Sequence, residues 1–250
     1  MTRLQPDEYK RLVTLEATRL AKVNPDSLIN PVPHLEGWTV HNVIGHTAWV
    51  CRYVTQCLAA TAEDPPSRSS VGEPPFGPAV IDWLGEAVSE LEEALADCDL
   101  DIIRPTWTGP QPASWWLRRL SHELAVHRWD VFASTPESTS GPEPIDAPQA
   151  LDGIDETLDV FVPNRMQFDK LDGRGQTVHL HATDIDNGEW MLELCPDEVN
   201  WSHGHAKGDT AARATSSDLM LLLWSRIRPE SVEVFGDREL LDRWQAAAAF

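Results

Sequence analysis

Apolar residues recur every three to four positions over four stretches before residue 135: about Pro6 to Ala21, Val40 to Ala60, Ala79 to Ala96, and Trp115 to Ala133. That period predicts four amphipathic helices. Turn-forming residues mark their limits. Asn30-Pro31-Val32-Pro33 precedes the second helix, Asp64-Pro65-Pro66-Ser67 follows it, and Gly109-Pro110-Gln111-Pro112 precedes the fourth. Thr39 stands where the second helix needs an N-cap. The acidic run from Glu86 to Asp99, with Glu90, Glu92 and Glu93, reads as the solvated face of the third helix.

Pro136 to Pro148 reads as an exposed loop, and Ala150 to Val162 as a fifth helix closing a first domain. Beyond it the period changes. Thr177 to Ala182 alternates, Asp184 to Gly188 makes a turn, and Trp190 to Leu194 alternates again, which predicts a β-hairpin. Val199 to His203 adds a third strand, Ser216 to Ile227 a helix, and Val232 to Phe235 a strand before a closing helix. The expected organisation is therefore an all-helical domain over residues 1–168 and a small α+β domain over residues 169–250, divided near residues 165–175.

Composition narrows the function classes. With 40 acidic against 20 basic residues the net charge is −20. That field repels phosphate backbones and anionic lipid heads, which argues against nucleic acid and membrane partners. Cys51, Cys57, Cys98 and Cys195 match neither a CxxC pair nor a zinc ribbon and read as reduced core thiols. No apolar run reaches membrane-spanning length, and a cytoplasmic protein is expected. P-loop, G-x-G-x-x-G, G-x-S-x-G and H-E-x-x-H patterns are missing.

The chemistry concentrates in two places. In the fourth helix Glu123 and His127 are four apart, one turn on one face. Alone, the pair is more commonly a solvated acid–base pair than a metal site. His46 sits among Val43, Ile44, Ala48 and Val50 on the second helix, where a neutral imidazole needs a polar partner. Facing helices of one bundle can bring His46 onto Glu123 and His127, and three ligands would leave a coordination position open. His41 and His122 are each five residues from a proposed ligand, roughly 140° around the helix, and stay outside the ligand set. Arg128 and Asp130 either orient His127 or bind an anionic substrate, with a surface salt link as the plain alternative. A rival site is formed by His179, His181, His203 and His205, residues two apart sharing a strand face. Alternation with Val178, Leu180 and Ala182 accounts for them more simply as the polar face of a half-buried sheet without supporting carboxylates.

The segment Gly37-Trp38-Thr39-Val40-His41-Asn42-Val43-Ile44-Gly45-His46, followed by His122-Glu123-Leu124-Ala125-Val126-His127-Arg128-Trp129-Asp130, resembles the mycothiol-dependent maleylpyruvate isomerase family. The likeness continues through Leu222-Leu223-Trp224-Ser225-Arg226 and Val234-Phe235-Gly236-Asp237-Arg238, nearly the whole chain. It implies a DinB-like four-helix bundle followed by a small α+β domain. It also implies zinc on His46, Glu123 and His127, with Arg226 as the arginine the second domain contributes. Many members of the family carry Gly where Ser225 stands.

The implied reaction uses mycothiol as thiol cosubstrate. Zinc lowers the pKa of its sulfur, the thiolate adds to the double bond of maleylpyruvate, and the adduct rotates and leaves as the trans isomer. Arg226 would pair with a substrate carboxylate. His and carboxylate ligands suit several divalent metals besides zinc. Two readings compete with a thiol-dependent isomerase or S-transferase: a metal-dependent hydrolase, with Asp130 as helper, and a non-enzymatic metal-binding module.

Overall fold

The computed structural model describes residues 3–96, 98–135 and 142–248. Helix α1, Pro6–Leu20, begins on a proline that has no N–H to leave unpaired, with Asp7 and Glu8 in its first turn and Arg19 in its last. It buries Tyr9, Leu12, Val13, Ala17 and Leu20 along one stripe. Helix α2, Val40–Ala59, starts after Thr39, whose backbone N–H donates to Asn42 Oδ1 at 2.8 Å. Its inner stripe is Val43, Ile44, Ala48, Cys51, Val54 and Leu58. Gly45 lets the following loop close on the helix, since a Cβ there would stand 3.0 Å from Pro74.

Helix α3, Ala79–Ala96, buries Leu84, Ala87, Leu91 and Leu95, while Glu86, Glu90, Glu92 and Glu93 face solvent as expected. A short antiparallel pair, β1 (Ile103–Arg104) with β2 (Gln111–Pro112), leads into helix α4, Ser114–Ala133. Two-residue strands have no alternation to detect, and the segment reads from sequence only as a turn. In the amino-terminal unit α1 packs on α4 and α2 on α3, and α2 meets α4. Helix α4 is buried on nearly every side and takes Arg118, Arg119, His122, His127, Arg128 and Asp130 inside with it. Such groups need partners, and Arg128 finds one by donating through Nε to Glu16 of α1.

The chain divides into compact units between Glu143 and Pro144, with residues 3–4 joining the second. The sequence pattern places the division at 168/169, because the period over Ala150 to Val162 reads as a last helix of the bundle. Helix α5, Ala147–Glu156, instead packs on a helix of the second unit. It runs through a wide π-type turn, Thr157–Phe161, into α6, Val162–Arg165, followed by α7, Phe168–Leu171. The wide turn lies just ahead of Pro163, whose ring cannot donate to the ladder and crowds the carbonyl four residues back. Of the expected loop Pro136 to Pro148, residues 136–141 lie outside the described residues, and Pro148 falls within the first turn of α5.

Strands β3 (Gln176–Ala182) and β4 (Glu189–Leu194) form the expected hairpin, with Leu180 opposite Trp190 and His181 opposite Glu189. Strand β5, Val199–His203, adds to β4, and β6, Thr210–Ala214, lies parallel to β3 on its other side. Helix α8, Ser216–Leu223, then leads to β7, Glu233–Gly236, and α9, Glu239–Ala247. The sheet order is β5-β4-β3-β6-β7. Val178, Leu180, Trp190, Leu192 and Ala212 form its buried face, and α8 packs on β3 and β6. Strand β6 is not evident from sequence: Thr-Ala-Ala-Arg-Ala has one β-branched residue and no aromatic. Helix α8 ends at Leu223, short of the expected Ile227, because Ser225 adopts φ 57°.

Candidate metal centre

His46, nearly two turns into α2, lies between Trp38 and α4. Its ring lies edge-on to Trp38, with centroids 5.4 Å apart, and to His127 at 5.0 Å. Helical spacing places Glu123 and His127 on the facing stripe of α4. His46 Nε2 stands 2.9 Å from Glu123 Oε1, and His127 Nε2 stands 3.3 Å from the same oxygen. The three donor atoms lie within 4.8 Å of one another. Among the described residues this is one of two such clusters.

Two of the three donors, Glu123 and His127, are held from behind. Arg119, one turn before Glu123 on α4, donates to Oε2 at 2.9 Å and leaves Oε1 to the imidazoles. His127 Nδ1 donates to Asp130 Oδ2 at 2.9 Å, which turns Nε2 toward Glu123 and His46. The other oxygen of Asp130 is 3.1 Å from His34 Nε2, in the loop before α2. Asp130 is fully buried, so the surface salt link weighed from sequence does not exist. Arg128 turns away to Glu16, and it too is buried. His41 Nε2 donates to the Pro75 carbonyl, 3.0 Å away, and His122 packs edge-on against Tyr9. Neither belongs to the cluster.

The charges respond to one another. Burial pushes the Glu123 carboxyl up, but His127, His46 and Arg119 together hold it well below its ordinary range. Burial pushes His127 down, and the carboxylates of Glu123 and Asp130 reverse this and raise it to about 9. Without metal, the pair is an imidazolium locked between two carboxylates. Burial, with Glu123 nearby, pushes the Cys51 thiol up to about 12, and burial takes Cys57 to about 11, so these two are inert core thiols. Cys98 and Cys195 are free but only half-buried, and so are not core residues.

Two imidazole nitrogens and a carboxylate oxygen form a donor set suited to zinc and other borderline divalent metals. A tetrahedral zinc with bonds of about 2.0–2.1 Å sets its ligands about 3.3 Å apart, and the carboxylate–imidazole spacings of 2.9 and 3.3 Å fall just below and at that value. The side chain of His127 is 7 % exposed and that of His46 is 32 % exposed, so solvent reaches the donors from the His46 side. A fourth ligand can enter there.

His46, Glu123, His127 and Asp130 are thus gathered in the amino-terminal unit. Arg226 belongs to the other unit, just beyond α8, where it is buried and donates to the Trp224 carbonyl at 2.9 Å. Sequence reasoning missed Arg119 and His34. Arg119 had a signal, standing four residues before Glu123 on one helix face; His34, in an irregular loop, had none.

Comparison with known proteins covers both units. The model of the mycothiol maleylpyruvate isomerase N-terminal domain matches residues 12–132, and that of the MDMPI C-terminal domain matches residues 148–243. The gap between the two matches contains the division at 143/144. The crystal structure of the mycothiol-dependent maleylpyruvate isomerase aligns with TM-score 0.65 and 16% identity, covering 94% of this chain and 95% of that one. A histidine-to-alanine mutant of it gives TM-score 0.66 with the same identity and coverage. No curated protein matches in sequence. At this identity the structural likeness speaks for the fold, a helical amino-terminal part followed by an α+β domain.

Proposed function

The chain belongs to the mycothiol maleylpyruvate isomerase family, a family of enzymes, and on that premise we propose a cytoplasmic, mycothiol-dependent zinc isomerase or S-transferase acting on a small carboxylate-bearing substrate such as maleylpyruvate. The observation that carries this reading is the convergence of His46, Glu123 and His127 with one side left open. A divalent metal held there supplies a Lewis acid that lowers the pKa of an incoming thiol.

The chain's own residues do the rest. Asp130 fixes the tautomer and tilt of His127, and Arg119 fixes the carboxylate of Glu123. Trp38 stands edge-on beside His46 and would offer an apolar wall to a thiol or substrate bound there. For a maleylpyruvate-type substrate, the thiol sulfur bonds to one carbon of the cis double bond. Rotation about the resulting single bond follows, and cleavage of the C–S bond releases the trans isomer and regenerates the thiol. Arg226 is assigned to a substrate carboxylate, for which its planar fork of donors is suited. The net charge of −20 supports small molecules over nucleic acid or membrane as partners, and among the described residues no helix is long and apolar enough to cross a membrane.

Elemental analysis and turnover on the same samples test this. About one zinc per chain should be lost from His46→Ala and from His127→Ala, counting metal bound at these residues, and isomerisation should require added mycothiol. Arg226→Lys should raise KM for the carboxylate substrate while zinc content stays constant. Turnover that persists without thiol would replace this reading with a hydrolase. Zinc content unaffected by either histidine change would remove the site.

A further inference from the structure

A second set of metal-ligand side chains converges in the carboxy-terminal unit, on the sheet. Strand β3 turns Val178, Leu180 and Ala182 into the core, which sends His179 and His181 to the opposite face. The hairpin register sets Glu189 directly across from His181. His203 is opposite Trp190 on the buried side of the pleat, and its Nε2 lies 3.2 Å from Asp155. The next residue, Gly204, has φ 148° and carries the chain around the strand end, so that His205 returns to the face of His179. The four histidines noted in the sequence therefore do not meet. Three of them do, around a carboxylate.

One oxygen, Glu189 Oε2, faces all three imidazoles: His179 Nε2 at 2.8 Å, His205 Nδ1 at 2.5 Å and His181 Nδ1 at 3.6 Å. The four donor atoms lie within 4.8 Å of one another. The rings approach from separate directions. His179 and His205 are perpendicular at 89°, His181 and His205 at 82°, and His179 and His181 at 70°. Three rings brought edge-on toward one point leave their nitrogens directed inward, as ligands of a tetrahedral ion are. A solvated polar face would instead spread its side chains, whereas here His181 Nδ1 is drawn to the same oxygen without a hydrogen bond to it, at 3.6 Å.

The backbone is built to hold this arrangement. At the far end of the 204–208 segment Gly208 lies against β3, where a Cβ would stand 2.6 Å from the Thr210 carbonyl and 3.1 Å from His179 N. Asp209 Oδ2 then accepts from the Thr177 N–H at 2.7 Å. The segment carrying His205 is thus anchored at one end by β5 and at the other by β3.

We propose that His179, His181, Glu189 and His205 form a second divalent-metal site, of the three-histidine, one-carboxylate class. Four protein ligands close a tetrahedron, so this site is a structural staple joining β3, β4 and the 204–208 segment, with no position for substrate. It uses no residue of the helical cluster, so it stands or falls independently of the proposed catalytic role.

The test uses the full chain, stripped with chelator and titrated with Co2+ as a spectroscopic probe and with Zn2+ for stoichiometry. In a His46→Ala, His127→Ala background about one metal should still bind per chain, with the intense visible d–d bands of four-coordinate cobalt. Adding Glu189→Gln and His205→Ala should abolish both. His205 is mostly exposed, so its loss leaves the fold intact. In the otherwise unaltered chain, His205→Ala alone should lower bound zinc by about one equivalent and remove a zinc-dependent rise in melting temperature of roughly 5 °C. Failure of the helical-site double variant to bind cobalt, or retention of full zinc content by Glu189→Gln with His205→Ala, overturns the proposal.

Discussion

The buried carboxylate behind His127 gives a sharp test of how the helical site is tuned. Asp130 Oδ2 accepts from His127 Nδ1 at 2.9 Å, while Oδ1 lies 3.1 Å from His34, and the side chain is fully buried. Asp130→Asn keeps the volume but removes the charge. A single amide oxygen can face His127 or His34, not both, and the amide NH2 repels whichever imidazole N–H it meets. His127 Nε2 then loses basicity and a fixed direction. Removal of such a supporting partner typically costs 10- to 100-fold in metal affinity, about 1.4–2.8 kcal/mol at a tenfold change per 1.4 kcal/mol. Competition with a chromophoric chelator at fixed pH measures this directly. His34→Ala is the control: it leaves the Asp130–His127 bond in place and should cost less than threefold. If Asp130→Asn binds zinc as tightly as the unaltered chain while melting at the same temperature, the orientation argument is wrong.

Two further outcomes follow from the same geometry. In metal-free protein the proton on His127 is held to about 9, against an ordinary 6.5, so its stabilisation is complete below about 6.5 and is lost as pH rises through 9. Glu123, held well below 4.5, contributes above about 4.5 and loses its contribution on acidification. Urea unfolding with chelator present should therefore show a maximum between these limits and a fall on the order of 3 kcal/mol by pH 9; a flat profile, or one unchanged in His127→Gln, contradicts the assignment. Ser225→Gly should stabilise the carboxy-terminal unit by roughly 1–2 kcal/mol, because it relieves φ 57° and removes a buried hydroxyl with no hydrogen-bond partner among the described residues, against a smaller entropic cost. A loss of stability on denaturant titration would show that Ser225 is held for another reason.

The fold was legible where burial writes a period. The helices of the bundle and the β3–β4 hairpin each repeat an apolar position often enough to declare their geometry. Strand β6 did not, because it sits inside the sheet between β3 and β7 and is built mostly from alanine. The end of α8 was lost for a related reason. Its apolar run continues past Leu223, and what stops the helix is the conformation of Ser225, a residue with no stop signal of its own. The displaced domain boundary has the same root, since the periodic pattern from 150 to 162 fixes a helix but says nothing of which core receives it.

The two histidine clusters differ in how far local spacing reaches. On α4 the step of four brings Glu123, His127 and Arg119 to one stripe, and only His46 had to be supplied by another helix. On the sheet, spacing of two found His179 and His181 but wrongly grouped His203 with His205, because Gly204 bends the chain between them. It also passed over Glu189, eight residues after His181 in the chain and directly opposite it in the hairpin. Counting pairs outward from the Asp184–Gly188 turn sets His181 against Met191, so the carboxylate is placed only by the register the folded sheet adopts. The distinction is physical: a helix carries its own ligand spacing, whereas a sheet site exists only once register is set, so its carboxylate must be sought across the strand and not along it.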